Sequence, residues 1–336
     1  MKTVSSPFSD KILSVQTRVE NMPFRKEEFE IVYHFYEDNG QQFTTDETDD
    51  INLIQLYNQY REKHNLPFPD DIKAIREKYQ LSTPKMAEVL GFGTNVYRQY
   101  ENGEVPNQSN ARLIQLANDP EEFRKLVLLS GVFVHKDLEK ILKRVDNLIE
   151  NQKKSVFQRW LGDYILGTDA RPSSYNGYKQ ADLRKTVNVI RYLVEKLNPT
   201  KTGLNKLLFY TDFIHYRNTG TALMGLEYRA IPYGTVPSRY DSLLEYVAEN
   251  GYINRHQKVL ADDRFMETYS LTDKSENVDL ATQELDTLNA IITIFKGKTA
   301  TEIVNLNHQE DAWLKNHENR QLVDYKWAFG LKVCSR

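Results

Sequence analysis

The sequence predicts an α+β chain, predominantly helical and divided into several domains. Three observations carry this. The 336 residues exceed what one hydrophobic core usually organises. Strand-like alternation is confined to short stretches, the first before residue 45. Elsewhere apolar residues recur at i, i+3, i+4 and i+7, the spacing of amphipathic helices. With 40% hydrophobic and 27% charged residues, 20 tyrosines and 15 phenylalanines, the composition suits packed cores rather than disorder.

The same composition excludes some classes. A single cysteine, Cys334, rules out an intramolecular disulfide and a cysteine-built zinc cluster. No apolar run reaches the roughly 18 residues that suggest a membrane span. The first residues, MKTVSSPFSD, lack an apolar signal core, so a cytoplasmic protein with no membrane partner is expected. A net charge of −3 and a pI near 6.2 speak against bulk electrostatic binding to nucleic acid. Any DNA contact must come from a local, shaped site.

Residues 1–64 form a small β-rich module in this reading. Strands are expected at Ile12–Val19, Glu28–Tyr36 and Gln42–Thr44, with Asn39-Gly40 as a hairpin turn. The acidic run Thr45–Asp50 suits a solvated helix start. The helix over Asp46–His64 is expected to turn Ile51, Ile54, Leu56, Tyr57 and Tyr60 inward.

Residues 65–131 carry the sharpest pattern. Helix one is expected at Asp70–Tyr79, with Asp70 as N-cap. Ser82 caps helix two, with Pro84 in its first turn. Gly91-Phe92-Gly93 makes the turn. Helix three spans Thr94–Asn102, capped by Thr94, with Val96 as inward anchor, and Gly103 ends it. Two more helices are expected near Ser109–Leu116 and Pro120–Leu129. Five short helices so spaced, with the ending Tyr100-Glu101-Asn102-Gly103, resemble the Cro/repressor-type helix-turn-helix. A helix fits the major groove, where Asn or Gln can read adenine and Arg guanine. The candidate DNA-binding residues are therefore Thr94, Asn95, Arg98 and Gln99, and Arg98 could equally hold a phosphate. A polar-surfaced bundle is the plainer alternative.

Residues 132–155 are expected to be a linker helix, Lys136 to Gln152, with Leu138, Ile141, Leu142, Val145, Leu148 and Ile149 on one stripe. That stripe suits either packing within the chain or a dimerising coiled coil.

Residues 156–336 make a mixed α+β domain after a Gly167–Gly177 linker. Helices are expected at Asp182–Leu197 and Leu204–Tyr216, the second too apolar to be exposed. A strand at Glu227–Ile231 leads into the rigid loop Pro232–Pro237. Ser238 with Asp241 resembles a capping box for Arg239–Glu249. A hairpin near Tyr252–Val259 and Phe265–Leu271, then helices at Leu280–Phe295 and Thr299–Asn305, complete the order.

Two family resemblances follow from these residues. A β-rich module before this helix-turn-helix resembles the MqsA-like antitoxins, whose module usually holds zinc through paired cysteines. Here Ser5-Ser6-Pro7-Phe8 and Tyr36-Glu37-Asp38-Asn39 stand in those places, so no metal or cofactor is expected and apolar packing must replace the zinc. In the third helix Asn95 and Gln99 stand where that family reads bases. From Val156 to about Leu331 the chain resembles the Panacea (SocA-like antitoxin) domain. Lys206–Phe213, Gly225, Tyr228, Pro232–Ser238 and His308–Trp313 carry that likeness. The family implies neutralisation of a toxin by direct binding, with phage defence or protease-adaptor roles in some members. Tyr233 and Tyr240 are candidate toxin-binding residues, because aromatics concentrate binding energy at interfaces. The Pro232–Pro237 segment reads equally as a structural loop.

No enzyme is expected. Gly297-Lys298-Thr299 lacks the earlier glycine of a phosphate loop and follows a helix, so Thr299 reads as a cap. His308 with Glu310 and Asp311 lacks the HExxH spacing, so His308 reads as a packed or surface histidine. The sequence thus points to a type II antitoxin that binds a cognate toxin, represses its own operon and works as a homodimer on operator DNA. A toxin-independent regulator or protease adaptor of a mobile element is the rival.

Overall fold

The computed structural model describes residues 3–166, 171–259, 265–273 and 280–335. The chain is α+β and predominantly helical, with short antiparallel sheets. It forms two compact units. The first comprises Met1–Glu20, Ile31–Asn52 and Leu161–Arg336, the second Asn21–Glu30 and Leu53–Trp160.

Strands β1 (Thr3–Ser5) and β2 (Ile12–Ser14) pair antiparallel. β3 (Gln16–Phe24), β4 (Glu27–Asp38) and β5 (Gln41–Phe43) form a sheet in that order. Asp38 faces Gln41, so Asn39-Gly40 is a two-residue turn, with φ of 50° and 83° as the favoured hairpin turn requires. The β3–β4 turn has no such signal. Arg25 and Lys26 adopt φ of 47° and 70° there, where the sequence offers no glycine or asparagine. Helix α1 (Asp46–His64) has acids in its first turn and bases in its last, matching the helix dipole. Its buried residues include Asn52, Asn58 and Arg61 beside Leu56 and Tyr60, so the expected apolar face is half polar. The Asn52 amide, for one, accepts from the His34 N–H at 2.8 Å and donates to the His34 carbonyl at 3.0 Å.

In the second unit, α2 (Pro69–Lys78), α3 (Thr83–Val89), α4 (Val96–Glu101), α5 (Gln108–Ala117) and α6 (Pro120–Ser130) surround one core. Ser82, Asn107 and Asp119 cap α3, α5 and α6 with side-chain oxygens. Phe68, not Asp70, precedes α2, and Asp71 accepts its N–H at 3.2 Å. Gly91 takes φ 72° after α3 as expected. The Tyr79 ring stacks on Phe123 at 3.7 Å and its hydroxyl donates to the Ala117 carbonyl at 2.7 Å. Helix α7 (His135–Leu166) runs well past the expected end at Gln152. Its Ile141 and Val145 are buried in this core, with Leu138, Leu142, Leu148 and Ile149 packed beside them. The stripe therefore packs within the chain.

The first unit is built on α8 (Leu183–Leu197) and α9 (Lys201–Thr219). Gly203 to Tyr216 of α9 are buried on every side, as its apolar sequence demands. Around it lie β6 (Tyr228–Ile231), β7 (Gly234–Pro237), α10 (Tyr240–Glu249), β8 (Ile253–Val259), β9 (Phe265–Leu271), α11 (Thr282–Phe295), α12 (Ala300–Asn307) and α13 (Asp311–Leu314). Two 3-10 segments, Tyr325–Gly330 and Lys332–Ser335, follow. The expected loop Pro232–Pro237 is instead largely strand: Ile231 faces Gly234 and Tyr228 faces Pro237 across a tight hairpin. Ser238 does not cap α10, which begins after Arg239 with no side-chain cap. Of the expected linker Gly167–Gly177, residues 167–170 lie outside the described residues; past its far end the Tyr178 N–H donates back to the Ser173 carbonyl at 2.9 Å.

Candidate functional site

The expected DNA-reading residues fall on α4 and the turn before it. Thr94, Asn95, Arg98 and Gln99 are all exposed and share the outer face. Thr94 and Asn95 lie in the turn, so the helix is shorter than expected and Asn95 is its N-cap. The inward anchor is Tyr97, not Val96. Tyr97 is fully buried and donates to the Ile72 carbonyl at 2.7 Å, while Val96 is only partly covered. Burial and the nearby Glu101 charge raise the Tyr97 pKa. Tyr100 accepts from Asn110 Nδ2 at 2.9 Å.

Glu101 ties the end of α4 to α2. Arg76 Nε and Nη2 donate to its two oxygens at 2.6 and 3.1 Å, a two-pronged pair. The Glu101 bond raises the Arg76 pKa, and Arg76 Nη1 also donates to the Leu81 carbonyl at 2.9 Å. Two further arginines grip the segment after α4. Arg61 Nη2 donates to the Gly103 carbonyl, while Arg25 Nη2 and Nη1 donate to Val105 and Pro106 carbonyls at 2.6 and 3.1 Å. Burial pulls the Arg61 pKa down to about 10. No sequence pattern links residues 25 and 61 to 103–106, so sequence reasoning misses both.

At the places expected to have lost zinc, a polar clasp joins the two segments. Ser6 and Ser9 hydroxyls each donate to Asp38 Oδ2 at 2.6 Å, and Lys11 Nζ reaches Oδ1 at 3.3 Å. These bonds hold the Asp38 pKa down. Phe8 meets Phe43 edge-on at 5.7 Å, so packing does only part of what was expected of it. Among the described residues no group of three His, Cys, Asp or Glu is placed to hold a metal ion.

The candidate toxin-binding tyrosines stand on separate features. Tyr233 tips the β6–β7 turn and is 75% exposed. Tyr240 opens α10, half-buried, with Lys201 Nζ 5.9 Å from its ring centre. Burial raises the Tyr240 pKa, and its neighbour Asp241 adds to this. Of the residues weighed for chemistry, Thr299 caps α12 in a box with Glu302. The Glu310 carboxylate is buried and accepts the N–H groups of Lys332 and Val333 at 2.7 and 3.0 Å. His308 stacks on Trp313 at 4.0 Å.

Among the described residues no helix is long and apolar enough to cross a membrane. No curated protein and no solved structure matches the chain. One family model does, over a narrower span than the expected Val156 to Leu331. Residues 204–314, from the first turn of α9 to the end of α13, match the antitoxin SocA-like, Panacea domain.

Proposed function

We propose that the chain is the antitoxin of a type II toxin–antitoxin pair, cytoplasmic, with two binding surfaces. The match of residues 204–314 to a SocA-like antitoxin domain carries the reading. In it, this region binds and occludes a cognate protein toxin, with the protruding Tyr233 ring and Tyr240 as contacts. Helices α3 and α4 serve as a helix-turn-helix, and Thr94, Asn95, Arg98 and Gln99 face operator DNA. What supports this is an exposed polar face on a helix seated by Tyr97, Tyr100 and the Arg76–Glu101 pair. A homodimer would set two such helices one helical turn apart on half-sites. Defence against phage is a use this pairing allows.

The test starts with the neighbouring small gene. Its expression alone should arrest growth, co-expression of this chain should restore it, and the two products should co-purify. Tyr233→Ala should weaken rescue while leaving promoter binding intact. A neighbour that is harmless alone would overturn the antitoxin reading in favour of a toxin-independent regulator or protease adaptor.

A further inference from the structure

Three segments carry the likeness in sequence: Lys206–Phe213, Pro232–Ser238 and His308–Trp313. They lie far apart in the chain, and toxin binding through Tyr233 and Tyr240 leaves their polar groups unused. The fold brings one residue of α9, the turn of β6–β7 and the end of α12 together.

Lys206 is 1% exposed, and no described residue hydrogen-bonds or ion-pairs with its ammonium. Its end passes over the bare Cα of Gly234. A Cβ there would stand 2.5 Å from Lys206 Cε, 3.1 Å from Lys206 Nζ and 2.5 Å from Asn307 Oδ1. Gly234 also takes φ 99°, so glycine is required twice over. Asn307 is fully buried. Its Oδ1 accepts the Thr235 N–H at 2.6 Å, and its Nδ2, turned toward the Tyr210 hydroxyl oxygen, makes no hydrogen bond of good geometry. His308 stacks on Trp313 with the Pro232 carbonyl close enough to favour its charged form, yet its Nε2 is buried without a partner. Burial first, then the Lys206 charge, lowers the His308 pKa, with His317 adding a smaller push. The nearby carboxylate, Glu310, is spent on Lys332 and Val333 N–H groups and on the Tyr210 hydroxyl. Burial alone takes the Lys206 pKa down to about 7, with no carboxylate opposing it.

A buried cation beside unmatched donors is costly until something supplies negative oxygen. We propose that Lys206, Asn307 and His308 form a binding site for one oxyanionic group, a carboxylate or a phosphate, beneath the exposed Pro232-Tyr233 turn. Lys206 and Asn307 Nδ2 donate to the anion. His308 donates through its unpartnered Nε2 once protonated. The anion favours the charged forms of both Lys206 and His308, so binding takes up protons and weakens as pH rises. His317, beyond Trp313, opposes His308 protonation, and Glu310 and Tyr210 lie on the α9 side. This site stands apart from the toxin reading: free anion can bind whether or not a toxin does.

The test uses the full chain near neutral pH in phosphate, acetate or chloride at matched ionic strength. Melting temperature and the 13Cε titration of Lys206 are both followed. Phosphate or acetate should raise the melting temperature saturably above chloride, and move the Lys206 titration upward. Response to phosphate alone marks a phosphate-bearing ligand, and response to acetate as well marks a carboxylate. Lys206→Met should abolish the gain. His308→Phe, which keeps a ring on Trp313, should reduce it. Neither anion exceeding chloride, or both variants responding like wild type, overturns the site. If Lys206→Met does not fold, the Lys206 titration in wild type and His308→Phe decides: no anion-dependent shift refutes the proposal.

Discussion

The Asp212 carboxylate lies wholly inside the first unit and accepts the Met224 N–H at 2.6 Å and the Leu226 N–H at 3.4 Å. The hydroxyls of Tyr228 and Tyr325 reach it at 2.9 and 3.1 Å. Each hydroxyl has one proton and a second acceptor in reach, the Leu208 carbonyl at 2.9 Å and the Leu226 carbonyl at 2.7 Å. The ionised carboxylate must therefore draw both protons to itself. Burial raises its pKa against these four donors. The folded state thus holds this proton more tightly than the unfolded chain, and the contribution of Asp212 falls as pH climbs from 3.8 through its folded pKa. Tyr228→Phe removes one donor while keeping the ring. It should cost about 1–3 kcal/mol in urea unfolding and push the Asp212 titration further up by NMR. An unmoved titration would mean that the hydroxyl serves Leu208 alone.

At the scale of elements, α4 separates what faces outward from what holds it. Asn95→Ala with Gln99→Ala should leave stability within about 0.5 kcal/mol, since both side chains are exposed. Operator affinity should fall by roughly 1–3 kcal/mol for each bidentate base pairing that the double variant removes. Glu101→Ala should do the reverse at first hand, leaving part-buried Arg76 with only the exposed Glu77 carboxylate at 3.5 Å and the Leu81 carbonyl, at a cost of about 1.5–3 kcal/mol, and weaken DNA binding only through loss of fold. If urea unfolding and gel shift moved together in both variants, α4 would be a structural helix with no reading face. The start of α3, the turn after it and the end of α4 were legible because they are local: Ser82, Pro84, Gly91 and Gly103 punctuate the chain wherever they stand, whereas the start of α4 falls two residues later than expected. Its anchor was not, because tyrosine at 97 is buried only by virtue of the Ile72 carbonyl 25 residues earlier. The same holds for α1, where periodicity of apolar residues cannot show that Asn52 will serve His34 or that Arg61 will reach Gly103. Likewise Lys206, Gly234 and Asn307 were legible as separate segments, but nothing local says that they meet.

For the whole chain, buried bases set how stability depends on pH. His215 on α9 is 6% exposed, and its Nδ1 sits 2.9 Å from Thr287 Oγ1. Burial brings its pKa from 6.5 to about 4, with Lys179 and Lys185 adding to the effect and Glu284 opposing it. Burial also lowers the His34 pKa. An unfolded chain takes up these protons as pH falls below 6.5, and the folded chain refuses them until its own lower pKa. Their contribution is therefore complete above pH 6.5 and is lost as pH falls through the folded values. For His215 this amounts to about 3 kcal/mol over the window. Glu310 and Asp212, whose pKa values are raised, act with the opposite sign, so the raw profile mixes terms. The difference between wild type and His215→Gln isolates one of them. Hydrogen exchange of the α9 amides, which report on the first unit, should show the two chains diverging steadily between pH 6.5 and 4.5. Wild type should lose protection as protons are added, and the variant should lose less. Parallel profiles would mean that His215 titrates normally in the folded chain, and that the interior around α9 admits water that its packing excludes.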